Sequence, residues 1–339
     1  MIKRVTIKDL AAELDTTPST VSRALADNHQ VSLEMKMRVR ELASKRNYQP
    51  NQRAKSLRTR RTDTIALILP EINAFFVPEM MYGINTAAAK HHFSVIMFQS
   101  DNRLDREKEL LRYAHSLDVD GVLLSVSEET TDATHIDAIR QTGTPILLID
   151  KLAADATLPG VTIDGFDAAY RAGIYLSEQG HKRLIGIFGN PSLSMTAQRR
   201  AGFERAMLLT GLYSDDSCLV EVEQILELPG VLDRVLRDYS DATAIFVMSD
   251  ELMVHTHFEL TRRGLSIPLD FSLMAISDGF APYYLYPNIT HIHHSGFEVG
   301  HAATMMLIGT IHGTPDNPKR RILVAPLCEL DSVVKLKQS

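Results

Sequence analysis

The stretch TIKDLAAELDTTPSTVSRAL, Thr6 to Leu25, decides how the chain begins. Thr6 precedes an apolar-periodic run and Asp9 stands three residues on, a capping-box pattern in which each side chain satisfies a backbone N–H of the other. Ile7, Leu10, Ala11 and Leu14 fall on one helical face. Asp15-Thr16 makes a turn. Thr17 followed by Pro18 is a second start signal, a cap with proline at the first helical position. Val21, Ala24 and Leu25 form that helix's inward stripe. Asp27-Asn28-His29 ends it, and Ser32 caps a third helix predicted to reach about Arg46, with Met35, Val39, Leu42 and Ala43 spaced for burial. Short helices with a tight turn between the first two make a helix-turn-helix pattern.

The charge supports a separate role for this segment. Residues 1–62 contain 14 Lys and Arg against 6 Asp and Glu, a net of +8, whereas the other 277 residues hold 22 against 36, a net of −14. A small basic module joined to an acidic body points to a polyanion as partner for the first part only. From Thr64 the texture changes to short apolar runs alternating with amphipathic segments. Strands are expected at 64–69, 94–98, 121–125, 145–150, 161–164, 184–188, 244–248 and 273–277. Helices are expected near 78–91, 103–116, 135–142, 196–209, 228–238 and 250–263. This rhythm indicates parallel sheets covered on both faces, and its length indicates two α/β lobes. Ligands in such sheets sit beyond the carboxyl ends of the strands, here in a cleft between lobes. The expected division is a helix-turn-helix domain at 1–49, a hinge helix or linker at 50–62, and a two-lobed effector-binding and dimerisation domain at 63–339.

Several function classes find no support. There is no GxxxxGK[ST], GxSxG, HExxH or GxGxxG run, so no enzyme signature is present and no catalytic residue is expected. No apolar run is long enough to span a membrane, and the N-terminus lacks a signal peptide's apolar core. Cys218 and Cys328 are the only cysteines, which fits a reducing cytoplasm. His291, His293 and His294 cluster, but no Cys or carboxylate stands at ligand spacing, so no metal is expected. The rival classes are a periplasmic-type sugar-binding protein and a metal-binding protein, each without a role on DNA.

The runs TIKDLAAELDTTPSTVSRAL, NYQPNQRAKSL and TIALILPEINAFF, followed by DGVLLS, GTPILLID, GHKRL and RRAGFERAM, resemble the lac repressor family of bacterial transcription regulators. The resemblance covers essentially the whole chain. It implies a homodimer or tetramer on double-stranded DNA, reading a pseudo-palindromic operator, and a core similar to periplasmic sugar-binding proteins. It implies repression controlled by a small carbohydrate-like effector, with no other cofactor, in a bacterial cytoplasm at the nucleoid.

By that resemblance, Pro18 and Ser19 match positions that discriminate between operators, and Arg23 matches a base-contacting arginine. An arginine forked onto guanine is worth ~1–3 kcal/mol of discrimination. Thr6, Thr17, Thr20 and Ser22 carry hydroxyls at helix starts suited to phosphate, and the same geometry serves helix capping. Ala26 departs from a common asparagine. In Asn47–Thr62, Pro50 ends the third helix, Asn51 can cap a new one, and Ala54 and Leu57 lie three apart. The family folds this segment into a hinge helix on the operator, with Leu57 as the wedge in the minor groove, Ala54 and Lys55 beside it and Arg58 as a phosphate neighbour. For the effector, Asp101 and Ser125 are candidates because they end strands, and the resemblance points to Asn73, Phe75, Asp150, Arg199, Ser249, Asp250, Ser277, Asp278 and His294. Ser249-Asp250 and Ser277-Asp278 replace longer polar pairs common among sugar-responsive members, which leaves the particular sugar open.

Overall fold

The computed structural model describes residues 5–49, 61–72, 75–151, 158–212, 219–314 and 320–336. The chain forms two compact units, Met1–Thr62 and Asp63–Ser339.

Among the described residues the first unit has three helices, α1 (Ile7–Glu13), α2 (Pro18–Leu25) and α3 (Leu33–Lys45). The side chains of Thr6, Thr17 and Ser32 accept from the backbone N–H three residues on, so all three expected caps are formed. Leu10, Ala11, Val21, Ala24, Val39 and Ala43 make the core, with Met35 and Tyr48 packed against it. So few buried side chains leave little stability to spare. Arg46 forks onto Glu13 at 2.6 and 2.9 Å, and Lys36 and Arg40 each approach Asp27 at 3.0 Å, tying the ends of α3 to the rest.

The second unit contains two six-stranded sheets. In lobe 1 the strands are β1 (Thr64–Leu69), β2 (Ser94–Gln99), β3 (Gly121–Leu124), β4 (Ile146–Ile149), β5 (Gly160–Ile163) and β11 (Arg320–Leu323). All its pairings are parallel, in the order β11-β5-β4-β3-β1-β2. In lobe 2 they are β6 (Leu184–Phe188), β7 (Leu219–Glu221), β8 (Ala244–Val247), β9 (Ser272–Ser277), β10 (Thr290–His293) and β12 (Leu327–Cys328), ordered β12-β10-β9-β8-β6-β7. Only the short β12 runs antiparallel to its neighbour among these pairings. Strands β3, β4, β6, β8 and β9 are buried along their whole length, as expected where helices cover both faces.

The covering helices are α4 (Phe76–Lys90), α5 (Leu104–Ser116), α6 (Thr134–Arg140) and α12 (Gly296–Ile311) in lobe 1, and α7 (Gly165–Glu178), α8 (Ser194–Thr210), α9 (Leu228–Asp238) and α10 (Asp250–Arg262) in lobe 2, with the single-turn α11 (Ala281–Tyr284) leading to β10. Helices α4 and α12 pack together, as do α7 and α8. Both pairs approach closely through glycine: a Cβ at Gly300 would lie 2.2 Å from the Met80 carbonyl oxygen, and one at Gly202 would lie 2.1 Å from that of Phe166. The chain crosses between lobes after β5, after β10 and between β11 and β12. At these crossings Arg171 Nη1 donates to the Ala325 carbonyl at 2.6 Å, and the His293 N–H donates to that of Pro326 at 2.7 Å.

Candidate functional site

The head's candidate residues gather at helix starts. Thr6 N–H donates to Asp9 Oδ2 at 2.8 Å while Asp9 N–H donates to Thr6 Oγ1 at 3.3 Å, so the capping box is complete. Thr17 Oγ1 accepts from the Thr20 N–H at 3.2 Å, and the two hydroxyls lie 2.9 Å apart. Pro18 is the first residue of α2, and it is exposed together with Ser19 and Arg23, while Val21 and Ala24 are buried on the other side. Ser22 is half-buried. Among the described residues the head's ion pairs use Lys36, Arg40 and Arg46 and leave out the exposed Arg23. Asn51, Ala54, Lys55, Leu57 and Arg58 lie outside the described residues.

In the second unit, the carboxyl ends of both sheets enclose a cavity of about 450 Å³. Phe75, Ser125 and Asp150 from lobe 1 line it with Arg199, Ser249, Asp250, Ser277 and Asp278 from lobe 2, and His294 on the second crossing. Asn73 lies outside the described residues. Asp101 stands apart from this lining. It follows the outermost strand, β2, in a left-handed turn (φ +53°), is exposed, and accepts from Gln99 Nε2 at 2.7 Å. An edge strand ends beside the cleft, and aspartate tolerates the left-handed turn that leads into α5.

Arg199 is the centre of the cavity's buried polar groups. It is 5% exposed on α8, its Nη1 donates to the Met248 carbonyl at 2.5 Å, and its Nη2 lies 3.1 Å from His294 Nδ1. A guanidinium only donates, so Nδ1 must accept and the imidazole is neutral with its proton on Nε2. Burial, the charge of Arg199 and that of His293 hold His294 well below the usual imidazole range, which agrees with that tautomer. Burial lowers the Arg199 pKa, against the opposing charges of Asp150, Asp250 and Asp278. Phe76 packs on the His294 ring at 4.5 Å between centroids.

The carboxylates differ in their partners. Asp250 is held at both oxygens: the Ser277 hydroxyl donates to Oδ1, and the Asp278 N–H donates to Oδ2 at 3.1 Å. Asp250 therefore joins the ends of β8 and β9. Ser249 caps α10, its Oγ accepting from the Leu252 N–H at 3.4 Å. Asp278 has its Oδ2 buried without a hydrogen-bond partner among the described residues. Burial, then the neighbouring Asp250 charge, pushes its carboxyl up to about 8. Asp150 is raised by loss of water, with Lys151 and Arg199 opposing.

Sequence reasoning missed other lining groups: Glu128 and Lys151, paired at 2.8 Å, and Asn190, Glu223, Glu251 and Met248. Asn190 and Lys151 follow strand ends, so the strand-end rule applied to every strand would have found them. Met248 contributes a backbone carbonyl to Arg199, which no side-chain pattern reveals.

Among the described residues no helix is long and apolar enough to cross a membrane. Residues 6–51 match the family described as bacterial regulatory proteins, lacI family, and residues 62–323 match periplasmic binding proteins and sugar binding domain of LacI family. Catabolite control protein A of Priestia megaterium is 28% identical over 306 residues, covering 89% of this chain and 91% of that protein. The transcriptional repressor CytR of Escherichia coli K12 is 28% identical over 309 residues, covering 91% and 90%. The ribose operon repressor of Haemophilus influenzae is 29% identical over 339 residues, covering 98% and 99%. Among solved structures, the lac repressor dimer bound to operator and the anti-inducer ONPF superposes with a TM-score of 0.84 at 18% identity, covering 98% of this chain and all of that one. A CelR–cellobiose complex gives 0.70 at 23% identity, covering 97% and 100%. These likenesses establish the fold, and the two matched regions account for the basic head and the two-lobed core. The chain belongs to the LacI family of DNA-binding transcriptional regulators and carries both the family's DNA-binding head and its sugar-binding core.

Proposed function

We propose that the protein acts as a homodimeric repressor on a pseudo-palindromic operator and that a small sugar in the cavity controls its grip. The observation that carries this reading is the convergence of nine residues named from the sequence on one cavity at the strand ends: Phe75, Ser125, Asp150, Arg199, Ser249, Asp250, Ser277, Asp278 and His294. Its volume falls in the range of small-molecule sites, about 300–1,000 Å³. An effector shifts the protein between lobe arrangements only by binding one more tightly than the other. The three crossings are where the lobes would turn. Asn51, Ala54, Lys55, Leu57 and Arg58 would form the segment that folds on DNA, with Leu57 wedging a base step. In the head, Pro18, Ser19 and Arg23 would read bases, and the hydroxyls of Thr6, Thr17, Thr20 and Ser22 would meet phosphate. The protein has no catalytic role or resident cofactor in this reading.

Selection of bound genomic fragments by the purified protein, followed by a sugar panel on the best site, tests it. One or a few palindromic sites whose binding responds to a sugar are expected. Binding that never exceeds that to random DNA would remove the repressor reading. On the selected site, Arg23→Ala should lower the preference over random DNA by ~1–3 kcal/mol. Equal losses on both DNAs would mean that Arg23 contacts phosphate only.

A further inference from the structure

Resting on the sugar-sensing reading, the charge of the cavity narrows the effector further. Among the described residues two cations line it, Lys151 and Arg199. Lys151 is paired with Glu128 at 2.8 Å, and that carboxylate also accepts from Asn102 at 2.8 Å. Arg199 is already bonded to Met248 and His294, and Asp150, Asp250 and Asp278 all lie near enough for their charge to act on it. Neither cation is left uncompensated for an anion. Beyond these, Glu71, Glu223 and Glu251 line the outer wall, exposed and in no ion pair among the described residues.

The buried polar atoms point the same way. Asp278 is 6% exposed with Oδ2 unpartnered among the described residues, a carboxyl oxygen open to a ligand hydroxyl, which it can accept from or, when protonated, donate to. His294 is 9% exposed with Nε2 likewise unpartnered, and its tautomer makes that atom a neutral donor. One buried acceptor and one neutral donor suit hydroxyls or an amine. A phosphate group needs several donors and uncompensated positive charge, which Arg or Lys ordinarily supplies.

We propose that the cavity takes a sugar bearing no negative charge, with a hydroxyl or amine donated to Asp278, and rejects the corresponding phosphate ester. The ester would stand among carboxylates, and like charges brought together in a binding site cost enough to lower affinity by roughly 100-fold or more.

Calorimetric titration of the full chain with glucose, fructose, ribose and glucosamine, each against its own terminal phosphate ester, tests this. The expected result is that at least one parent sugar binds and its ester is weaker by roughly 100-fold or more. Asp278→Asn should then weaken the parent and, above about pH 8 where Asp278 is ionised, narrow the gap between the pair. An ester that binds as tightly as its parent, or more tightly, overturns the inference and leaves the sugar-sensing reading standing. If no sugar in the panel binds in either form, sugar sensing falls, and this inference falls with it.

Discussion

The two lobes carry strands in matching order, yet they bring different chemistry to the cavity. Lobe 1 supplies aromatic and aliphatic surface, Phe75, Phe76, Leu69 and Met80, with a Glu128–Lys151 pair toward solvent. Lobe 2 supplies Arg199, Asp250, Ser277 and Asp278, all buried and bonded or charge-coupled to one another. Strand order fixes where the ends of β1, β3 and β4 meet those of β6, β8 and β9, and it says nothing about which side chains they bear. Polar groups in lobe 2 depend on each other, because a buried charge is tolerated only when it is paired. In lobe 1 only the Glu128–Lys151 pair is closer to water and more independent, whereas Ser125 is buried and Asp150 acts on Arg199 across the cavity.

The largest expected effect tests that dependence. Arg199→Met removes the cation among Asp150, Asp250 and Asp278, and breaking a buried charge set from one side costs about 3–5 kcal/mol. Urea denaturation near neutral pH should show a loss of that order, and binding of the effector should be abolished. Part of the stability should return at acid pH, where Asp150, already raised by burial, takes up a proton. A loss no larger than that of a surface substitution would mean that lobe 2 is no more interdependent than lobe 1.

A second prediction concerns pH. Asp278 titrates at about 8 in the folded protein, against roughly 3.9 for an unfolded aspartate. Between those values the folded state holds a proton that the unfolded chain has released. The stability this contributes is therefore full below the unfolded value, falls as pH rises, and is lost once pH passes the folded value. Asp278→Asn cannot titrate, so its urea midpoints across that window should decline less with pH than those of the wild type. Equal slopes would show that Asp278 remains ionised beside Asp250, and the account of its buried Oδ2 would need revision.

The contrast between the lobes also marks what the sequence discloses. The head's caps were legible because Thr6 and Asp9, or Thr17 and Thr20, act within one helical turn. Strand ends were legible from apolar runs, and most boundaries agree to within about two residues. Helices α7 and α12 went unread for different reasons. The first does carry a stripe, Gly165, Ala168, Ala169, Ala172, Gly173 and Leu176, but it is built mostly of small residues, and the second is apolar on nearly every face. A helix buried on most faces, as α12 is, loses the stripe by which periodicity finds it. In the cavity, the resemblance named Arg199, Asp250 and Asp278, but their different roles come from contacts across long sequence separations. Ser277 bonding Asp250, and Arg199 bonding the Met248 carbonyl, are what make Asp250 a joint between strands and leave Asp278 free. Asp101 falls outside the cavity lining because a strand-end aspartate has the same local pattern whether its strand is central or at the edge.

The smallest effect is expected in lobe 1, at Phe75. It lines the cavity while remaining 50% exposed, and it stands just before α4 without a side-chain capping bond. Its replacement by alanine leaves no closed void, so the cost of a core cavity does not apply, and stability should change by no more than about 0.5 kcal/mol. What Phe75 offers a sugar is a flat apolar face, and losing one such contact should weaken the effector by about tenfold or less, corresponding to about 0.5–1.5 kcal/mol. Urea denaturation and calorimetry on Phe75→Ala read the two quantities separately. If affinity falls as far as it does in Arg199→Met while stability holds, recognition is centred on the aromatic wall of lobe 1. The polar groups of lobe 2 would then serve mainly to hold their own strand ends together.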